Sequence, residues 1–430
     1  MTEHRIAHID VNAFYCSCER LFRPDLADRP IVVLSNGDGC VVARDARVKQ
    51  LGVPMGQAWF KMQRFARKHG IVAFSSNYTL YGDMSRRVMS VIGQFSPDVE
   101  VYSIDEAFVD LTPQPQLPGI ATGQAIRNRV LRWTGMPTCV GIGATKTQAK
   151  LADWIAKHDA SLGGVCDLTT MDRVERDRRF HNIEVREVWG IGRRLAEHLR
   201  GFGISTVADL AAADARRLRK HFNVVLERIV QELQGEPRID LEQDIPARQQ
   251  IIASRTFSVP VYTADEMAES IREYMGRAAA KLRAQGSVAG TLGIWIETNR
   301  FRTQDAQHNG SGTVTLPKAT DDSGILTAWA VALMRRIYKP GHRYWKSGVM
   351  LLDLAAKGTE QLALFGAPPI VSEDRRSNTM RVMDAVNRKW GRGTLGIGSA
   401  GLQGARQWSM QRRILSPRYT TQWAELPVVR

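Results

Sequence analysis

The chain has 430 residues, of which 43% are hydrophobic and 24% are charged. This length exceeds one ordinary core and predicts roughly two to four domains, and the hydrophobic fraction excludes wholesale disorder. The net charge of +15 indicates a basic surface that attracts polyanions such as nucleic acid, although a basic protein without such a partner is the alternative. No apolar stretch approaches the ~18–20 residues that span a bilayer, and the charged start MTEHRIAHID lacks the apolar core of a secretory signal.

The cysteines predict a reduced protein of the cytoplasm, and the lack of a long apolar stretch predicts no membrane association. Five cysteines are too few and too irregularly spaced for a disulfide framework. Cys16 and Cys18 could bind a metal as a pair, but no Cys or His partner follows at zinc spacing. We therefore expect ordinary thiols at Cys16, Cys18, Cys40, Cys139 and Cys166.

The first 168 residues alternate between strand and helix patterns. The strand pattern IAHID leads into a helical segment, and two Val-rich strands flank a hairpin turn at residues 36–39. Helices are predicted from Asp45 and over residues 78–95. The strand TCVGIG then leads into an amphipathic helix from about Thr147. This order predicts an α+β fold with a mixed or antiparallel sheet.

The rest of the chain divides into three kinds of pattern. Short, charged helices separated by glycines are predicted over residues 170–240, followed by a polar linker over residues 235–250. A capping box at Thr263 and Glu266 begins a helix in a third region, which also has the strand TLGIWIETNRF and a later helix from about Ile325. We interpret this region as a small α+β module, and the Gly-, Pro- and Arg-rich sequence beyond residue 356 as a tail with local helices.

Three carboxylates stand at the ends of predicted strands. Asp10 ends the strand IAHID, and Asp105 and Glu106 lie within the apolar segment VYSIDEAFVDL. If these strands pair in one sheet, the three acids converge, and their repulsion is relieved by hard cations such as Mg²⁺ or Mn²⁺. A hairpin bend near Asp105 would let both neighbours face one site. The alternative is that Asp105 caps a turn while Glu106 points to solvent.

These motifs resemble the Y-family, or translesion, DNA polymerases. The resemblance rests on DVNAFYCSCE, YSIDEAFVDL and VGIGATKTQAKLA. It is closest to the UmuC-type branch, the catalytic subunit of bacterial DNA polymerase V, and it covers essentially the whole chain. The segments that look like this branch are LSNGDGCVVAR, FSSNYTLYGDMS, HRYWKSGVML, QLALFG and LSPRYTT.

The resemblance implies a multi-domain, right-hand polymerase fold. Its expected parts are a ferredoxin-like palm, small fingers, a helical thumb with a helix-hairpin-helix and an α+β little finger. The corresponding ranges are 1–23 and 77–168 for the palm, 24–76 for the fingers, 169–238 for the thumb, 239–248 for a linker, 249–356 for the little finger and 357–430 for a tail with a clamp-binding peptide.

The resemblance also implies a metal and nucleotide site. Asp10, Asp105 and Glu106, with the carbonyl of Val11, would bind two Mg²⁺ ions, with Mn²⁺ as an alternative. Tyr15 stands at the position of the family's steric gate, which rejects a 2′-hydroxyl.

Further nucleotide contacts are expected from the fingers and from three palm residues. Phe14 could pack under the same nucleotide, but the more favoured interpretation is a core aromatic. Lys150 would contact the triphosphate, and Lys146 lies on the same helical face near an N-terminus that favours phosphate, with two solvated lysines as the alternative. Where other branches have a Tyr and an Arg over the triphosphate, this chain has Ala46 and Lys49. Lys49 is therefore the candidate second contact, with Arg44 behind it.

Two further regions are expected to bind DNA. The motif VWGIGRRL resembles a helix-hairpin-helix in which Gly190, Gly192 and Arg193 grip phosphates without reading sequence, although the alternative is an ordinary glycine turn. In the third region, Arg255 and the basic residues around it suit a sheet that follows the DNA backbone.

The peptide QLALF resembles the segment by which bacterial polymerases dock on the β sliding clamp. Its contacts would be Gln361, Leu362, Leu364 and Phe365, and a helical turn is the alternative. By resemblance, the further partners are primer-template DNA, dNTPs, a UmuD′-type accessory dimer and a RecA filament, in the cytoplasm and at the nucleoid when engaged.

The sequence thus predicts an error-prone translesion polymerase acting in DNA damage tolerance and SOS mutagenesis. A non-catalytic DNA and clamp adaptor is one alternative, and a nucleotidyl cyclase built on a related palm is another. The retention of Asp10, Asp105, Glu106 and Tyr15 argues against the first. The thumb-like hairpin, basic module and clamp peptide argue against the second.

Overall fold

The computed structural model describes residues 4–113, 118–243, 246–358, 373–391, 393–396 and 412–427. The chain divides into two compact units, of which the first comprises Met1–Ile245 with Arg413–Arg430 and the second Pro246–Arg412. Both contain strands and helices, so the predicted α+β class is confirmed. Among the described residues, no helix is long and apolar enough to cross a membrane.

The first unit begins with fourteen strands and helices up to residue 168. In chain order they are β1 (Ile6–Val11), α1 (Phe14–Leu21), β2 (Ile31–Leu34), β3 (Val41–Arg44), α2 (Ala46–Gln50), α3 (Trp59–Lys68), β4 (Val72–Ser75), α4 (Tyr78–Ile92), β5 (Val99–Val101), β6 (Glu106–Asp110), α5 (Gly119–Thr134), β7 (Thr138–Gly143), α6 (Lys146–His158) and β8 (Val165–Asp167).

These elements build two sheets. The larger has the strand order β5-β6-β1-β7-β8, and the smaller has the order β3-β2-β4. The predicted hairpin is confirmed between β2 and β3, where Gly37 and Asp38 have positive φ angles of 79° and 55°. The helix predicted from Asp45 is also confirmed, since the Asp45 carboxylate caps α2 by accepting from the amide of Val48 at 3.0 Å.

Successive side chains of β1 point to opposite faces of the larger sheet. Ala7, Ile9 and Val11 are buried in the main apolar core of the first unit. Because successive strand residues face opposite sides, His8 and Asp10 lie on the other face. That face is covered by α6, which packs on β1 and β7.

Two glycines of β7 allow α6 to approach closely. A Cβ atom on Gly141 would lie 2.0 Å from the amide nitrogen of Asp153, and one on Gly143 would lie 2.5 Å from Cβ of Gln148. Any larger residue there would push the helix outward. The motif VGIG therefore sets the distance between the sheet and α6.

Five short helices complete this part of the first unit, as predicted. They are α7 (Arg173–His181), α8 (Arg193–Gly201), α9 (Val207–Ala212), α10 (Ala215–His221) and α11 (Val224–Leu233). Their apolar side chains share a core with Leu151, Ala152, Ile155 and Ala156 of α6.

The second unit is built on one antiparallel sheet of order β11-β10-β12-β9. Its elements are β9 (Ile251–Val261), α12 (Ala264–Ala284), β10 (Ser287–Thr298), β11 (Asn309–Thr320), α13 (Ser323–Ile337), β12 (Tyr344–Ala356) and α14 (Glu373–Trp390). The predicted capping box is confirmed, since Thr263 and Glu266 exchange side-chain and backbone hydrogen bonds at the start of α12.

Residues 413–427, here called the C-terminal segment, pack into the first unit. Leu415 forms a parallel bridge with Ser75 at the end of β4, and Tyr419 belongs to the main apolar core. The sequence pattern predicted only a tail with local helices in this part of the chain. The helix α14 agrees with that prediction, and the docking of the C-terminal segment was not foreseen.

Candidate active site

The ends of β1 and β6 bring the predicted carboxylates together along the backbone. Asp10 lies directly opposite Glu106 in the antiparallel pair, and the carbonyl of Asp105 accepts a hydrogen bond from the amide of Val11 at 3.0 Å. The predicted bend near Asp105 is confirmed, because residues 102–105 connect the antiparallel strands β5 and β6. The three acids therefore share one end of the central strand pair.

The side chains of these acids have different neighbours. Ser103 donates a hydrogen bond from Oγ to Asp105 Oδ1 at 2.6 Å, and Asp105 is close enough to Tyr15 to raise the pKa of its phenol. Asp10 and Glu106 face α6 instead. Within the described part of the chain, no three His, Cys, Asp or Glu side chains form a cluster arranged to hold a metal ion.

Two lysines of α6 neutralise the carboxylates. Lys157 Nζ lies 2.7 Å from Asp10 Oδ1 and 2.7 Å from Asp153 Oδ2. Lys150 Nζ lies 2.7 Å from Glu106 Oε2. These helix residues recur at intervals of three and four, so they occupy one face of α6, directed at the end of β1.

His8 lies between two acids on the same face. Its Nε2 is 3.7 Å from Glu106 Oε2, and its Nδ1 is 3.5 Å from Asp153 Oδ2. His8, Asp153 and Lys157 were not predicted from the sequence as residues of the site. Their signal was present, since His8 is two residues before Asp10 in a strand, and Asp153 and Lys157 continue the helical spacing of Lys150.

The electrostatics of the two carboxyls differ sharply. Burial raises the pKa of Asp10 to about 7 and outweighs the attraction of Lys157, and repulsion from Asp153 and Glu106 acts in the same direction as burial. Burial would also raise the pKa of Glu106, but hydrogen bonds from His8 and Lys150 reverse the effect and lower it. Ionisation of Asp10 is therefore costly chiefly because the carboxyl is buried, and the neighbouring acids add to that cost.

The donor set suits a hard divalent cation. Carboxylate oxygens are the ligands that Mg²⁺ and Mn²⁺ prefer. Asp153 Oδ1 is a buried oxygen with no hydrogen-bond partner, as expected of a cluster short of positive charge. The donor set therefore fits a divalent ion by its chemistry, and Lys150 and Lys157 supply the compensating charge.

Tyr15 begins a cluster of aromatic rings beside Asp105. Its ring stacks on Tyr81 with centroids 4.5 Å apart and an angle of 16°, and meets the edge of Tyr78 at 6.0 Å. Burial raises the pKa of Tyr15 to about 12, so its hydroxyl stays protonated. Phe14 is only 3% exposed and lies in the main core, which favours its interpretation as a core aromatic.

The two predicted phosphate lysines have different surroundings. Lys150 lies over the rings of Tyr102 and Trp189, at 4.6 and 5.5 Å from their centroids, and reaches Glu106. Lys146 is only 3% exposed, and its Nζ forms a buried ion pair with Glu100 at 2.5 Å. This pair gives Lys146 a structural partner, so a phosphate role rests on Lys150.

The remaining predicted residues lie on other elements of the chain. Arg44, at the end of β3, donates a hydrogen bond to the carbonyl of Val53, and Lys49 is exposed on α2. At the start of α8, Gly190 has a φ angle of 86°. Gly192 is the N-cap of α8, Arg193 is exposed in the first turn of that helix, and Arg255 is exposed on β9.

The predicted clamp peptide, Gln361 with Leu362, Leu364 and Phe365, lies outside the described residues.

Comparisons with known proteins match most of the chain. The model of the impB/mucB/samB family matches residues 9–153, and that of the family's C-terminal domain matches residues 248–364. A domain of unknown function, DUF4113, matches residues 378–429. Protein UmuC of Salmonella typhimurium is 45% identical over 421 residues, covering 97% of this chain and 98% of that protein.

The chain belongs to the impB/mucB/samB family. Protein MucB of Escherichia coli is 41% identical to this chain over 426 residues, covering 98% of this chain and 99% of that protein. DNA polymerase IV of Corynebacterium diphtheriae is 28% identical over 338 residues, with 77% of this chain and 71% of that protein covered.

Solved structures show that this family member has the Y-family polymerase fold. A Y-family DNA polymerase chimera aligns with a TM-score of 0.64 at 20% identity, over 82% of this chain and 100% of that one. An insertion ternary complex of Dbh DNA polymerase aligns with a TM-score of 0.51 at 19% identity, with the same coverage. The expected fold class and family are both confirmed.

Proposed function

We propose that this protein is the catalytic subunit of an error-prone translesion DNA polymerase, which adds dNTPs to a primer 3′-hydroxyl during DNA damage tolerance and SOS mutagenesis. The observation that carries the proposal is the position of Asp10 opposite Glu106, with Asp105 adjacent, at the end of the central strand pair. Membership in a family that includes UmuC supports the same activity.

We assign the parts of the polymerase hand to the observed elements. The five-stranded sheet lies within the proposed palm, at 1–23 and 77–168, and the three-stranded sheet within the fingers, at 24–76. Helices α7–α11 fall in the thumb, at 169–238, and the four-stranded sheet falls in the little finger, at 249–356. The small fingers sheet is consistent with a loosely enclosed base pair and hence with low fidelity.

The metal requirement follows in general terms from the family, and we propose its details. Asp10, Asp105, Glu106 and the carbonyl of Val11 would hold two Mg²⁺ ions, with Mn²⁺ as an alternative. Such ions, when bound, activate an attacking oxygen and stabilise the charge of a leaving one. They would also take over the carboxylate charge that Lys150 and Lys157 now neutralise.

The reaction is a phosphoryl transfer. The primer 3′-hydroxyl oxygen bonds to the α-phosphorus of the dNTP while the bond to the leaving pyrophosphate breaks, and the hydroxyl proton passes to solvent water. Lys150, once separated from Glu106, would hold the triphosphate, with Lys49 and Arg44 as candidates on the fingers. The ring of Tyr15 would lie against the sugar and clash with a 2′-hydroxyl, which selects deoxyribonucleotides.

DNA contacts are proposed at two places. The start of α8 presents Gly190, Gly192 and Arg193, where a helix N-terminus without a capping side chain favours phosphate. Arg255 is exposed on β9 and is suited to the DNA backbone. These contacts carry charge but no base readout, as required of a polymerase that must copy templates of any sequence.

Further partners are proposed from the family resemblance. QLALF would dock on the β sliding clamp, and the subunit would act in the cytoplasm with a UmuD′-type dimer and a RecA filament. Substitution of Leu364 and Phe365 by alanine should abolish clamp-stimulated extension while leaving unstimulated extension intact. Stimulation that persists in this variant would contradict the docking role.

One assay separates the polymerase from its alternatives. The protein is incubated with labelled dNTPs and Mg²⁺, with or without primer-template DNA. A polymerase extends the primer by a ladder of nucleotides and needs the DNA. DNA binding without any product would identify an adaptor, and a cyclic nucleotide formed without DNA would identify a cyclase.

A further inference from the structure

The C-terminal segment makes specific polar contacts with the junction between β4 and α4. The amide of Ser75 donates to the carbonyl of Ile414 at 3.0 Å, and the amide of Ile414 donates back to Ser75 Oγ at 3.1 Å. This reciprocal pair extends the edge of the fingers sheet by one bridge. The segment is thus integrated into the first unit by main-chain pairing and not by apolar contact alone.

Ser416, two residues after Ile414, contacts the start of α4. Asn77 caps α4 by accepting from the amide of Leu80, while its Nδ2 donates to the carbonyl and to the hydroxyl of Ser416, both at 3.0 Å. One asparagine therefore satisfies the helix and the segment together. Further along, the ring of Tyr419 stacks on Phe22 with centroids 4.7 Å apart.

A buried carboxylate connects the segment to the tyrosine cluster. Glu19 is fully buried on α1, and its Oε1 accepts hydrogen bonds from Ser416 Oγ at 3.0 Å and from the hydroxyl of Tyr81 at 2.6 Å. Tyr81 is the residue on whose ring Tyr15 stacks. The contacts run without interruption from Ser416 through Glu19 and Tyr81 to Tyr15.

This carboxylate is costly to bury, which makes its donors important. Burial raises the pKa of Glu19 to about 7, and its other oxygen, Oε2, is buried without a hydrogen-bond partner. The hydroxyl of Ser416 is one of the two side-chain donors on Oε1. Loss of the Ser416 hydroxyl would leave the buried Glu19 carboxylate with one donor fewer. Glu19 would then relax by moving together with Tyr81.

We propose that the C-terminal segment is a positioning element of the nucleotide site, which holds Tyr81 through Glu19 and so fixes the ring of Tyr15 against the incoming sugar. The segment lies at the end of the region matched by the domain of unknown function. The role of the segment in sugar selection rests on the proposed function of Tyr15. The intramolecular docking itself does not.

The first test measures the preference for dNTPs over rNTPs in primer extension by the full chain. Tyr81→Phe and Ser416→Ala should each raise relative ribonucleotide use roughly threefold to tenfold, the range set by losing one hydrogen bond. In the double variant, relative ribonucleotide use should rise by less than the product of the two single increases, because both substitutions act through Glu19. Glu19→Gln, which keeps an acceptor at Oε1, should preserve the preference, whereas Glu19→Ala should lose it.

Two controls separate positioning from loss of structure. Glu425→Gln removes a carboxylate paired with Arg418 at 2.8 Å on the exposed side of the same segment, and it should leave the preference unchanged. Tyr15→Ala should raise ribonucleotide use more than any variant of the segment. Unchanged preference in both Ser416→Ala and Tyr81→Phe, with a normal response of Tyr15→Ala, would overturn the positioning role.

A second measurement tests the docking without reference to activity. Hydrogen exchange of the full chain should show protection of the Ser75 and Ile414 amides, which Ser416→Ala should reduce while the melting temperature changes little. Rapid exchange of both amides in the unmodified chain would overturn the docking. If Tyr15→Ala leaves sugar preference unchanged while these amides stay protected, the gate assignment fails and the docking stands.

Discussion

Asp10 has an unusual pKa for a carboxyl group that is paired with a lysine. A carboxyl that lies 2.7 Å from a lysine would ordinarily have a depressed pKa, yet burial and two neighbouring acids raise the pKa of Asp10 to about 7. A lysine ammonium carries one charge, and here Lys157 divides it between Asp10 and Asp153. The residue is therefore placed for a partner of higher charge.

The raised pKa predicts pH-dependent metal binding. Below about pH 7 Asp10 carries a proton and cannot act as a ligand, so the apparent Mg²⁺ affinity should fall as the pH decreases, approaching about tenfold per unit. Calorimetric titration of the full chain with Mg²⁺ from pH 5.5 to pH 8 would measure this. Asp10→Asn should lose the dependence, and Asp28→Asn, at a side chain 96% exposed, should retain it. A pH-independent affinity in the unmodified chain would contradict the account.

The sequence was sufficient to select the candidate carboxylates but not their partners. Asp10, Asp105 and Glu106 interrupt apolar strands, and such an interruption is visible without a structure. Lys157 and His8 carry no comparable anomaly, because a lysine on a helix and a histidine in a strand are common. The spacing of Lys146 from Lys150 suggested a phosphate contact. Only the fold shows that the Lys146 ammonium group forms an ion pair with Glu100.

At the scale of elements, α6 and β7 form the structural support of the site. The helix carries Lys150, Asp153 and Lys157, and its distance from the sheet is set by the glycines of β7. The motif was recognised as a strand leading into a helix, which the structure confirms. The reason for the glycines is steric and becomes visible only when backbone positions are known.

This arrangement predicts a strong effect of Gly141→Ala. The added methyl group would contact main-chain atoms of Asp153 and Ala149 at 2.0 and 2.2 Å, so α6 must move. We expect a loss of about 1–3 kcal/mol in the free energy of unfolding, together with a fall in primer extension. Chemical denaturation and an extension assay would measure both.

The matched control is the same substitution at Gly276, inside α12, where an added Cβ would meet no atom within 4 Å. That variant should gain about 0.5–1 kcal/mol, since alanine favours a helix over glycine. A Gly141→Ala variant as stable and active as the unmodified chain would show that α6 does not depend on this approach.

Some elements could be predicted well from the sequence and others could not. Caps and turns are local, so the hairpin at Gly37 and Asp38, the cap at Asp45 and the capping box at Thr263 were all foreseen. The C-terminal segment is different, because its contacts with Ser75 and Glu19 span more than 330 residues. No local pattern reports a pairing over that distance.

At the scale of the whole molecule, the excess of basic residues favours DNA binding through the phosphates. The chain carries 59 Lys and Arg residues against 44 Asp and Glu residues. Such a charge gives binding that is dominated by phosphate contacts and is weakened by salt, because counterions are released on association. It gives little discrimination between sequences, which suits an enzyme that must copy any template.

We therefore predict that Arg255→Ala weakens binding to primer-template DNA uniformly across sequences and reduces the slope of log affinity against log salt by about one. Fluorescence anisotropy at several salt concentrations would measure the slope. Arg418→Ala, which removes an arginine already paired with Glu425, should leave it unchanged. An equal slope for Arg255→Ala and the unmodified chain would exclude a phosphate contact at this residue.

The most direct test of the metal site is Asp105→Asn, a change that keeps the shape of the side chain and removes its charge. Primer extension should fall by roughly a hundredfold or more, as expected for a direct metal ligand, while DNA affinity measured by anisotropy and the melting temperature stay close to those of the unmodified chain. Asp28→Asn should match the unmodified chain in all three measurements. Extension at the full rate by Asp105→Asn would contradict the proposal that Asp10, Asp105 and Glu106 together hold the catalytic ions.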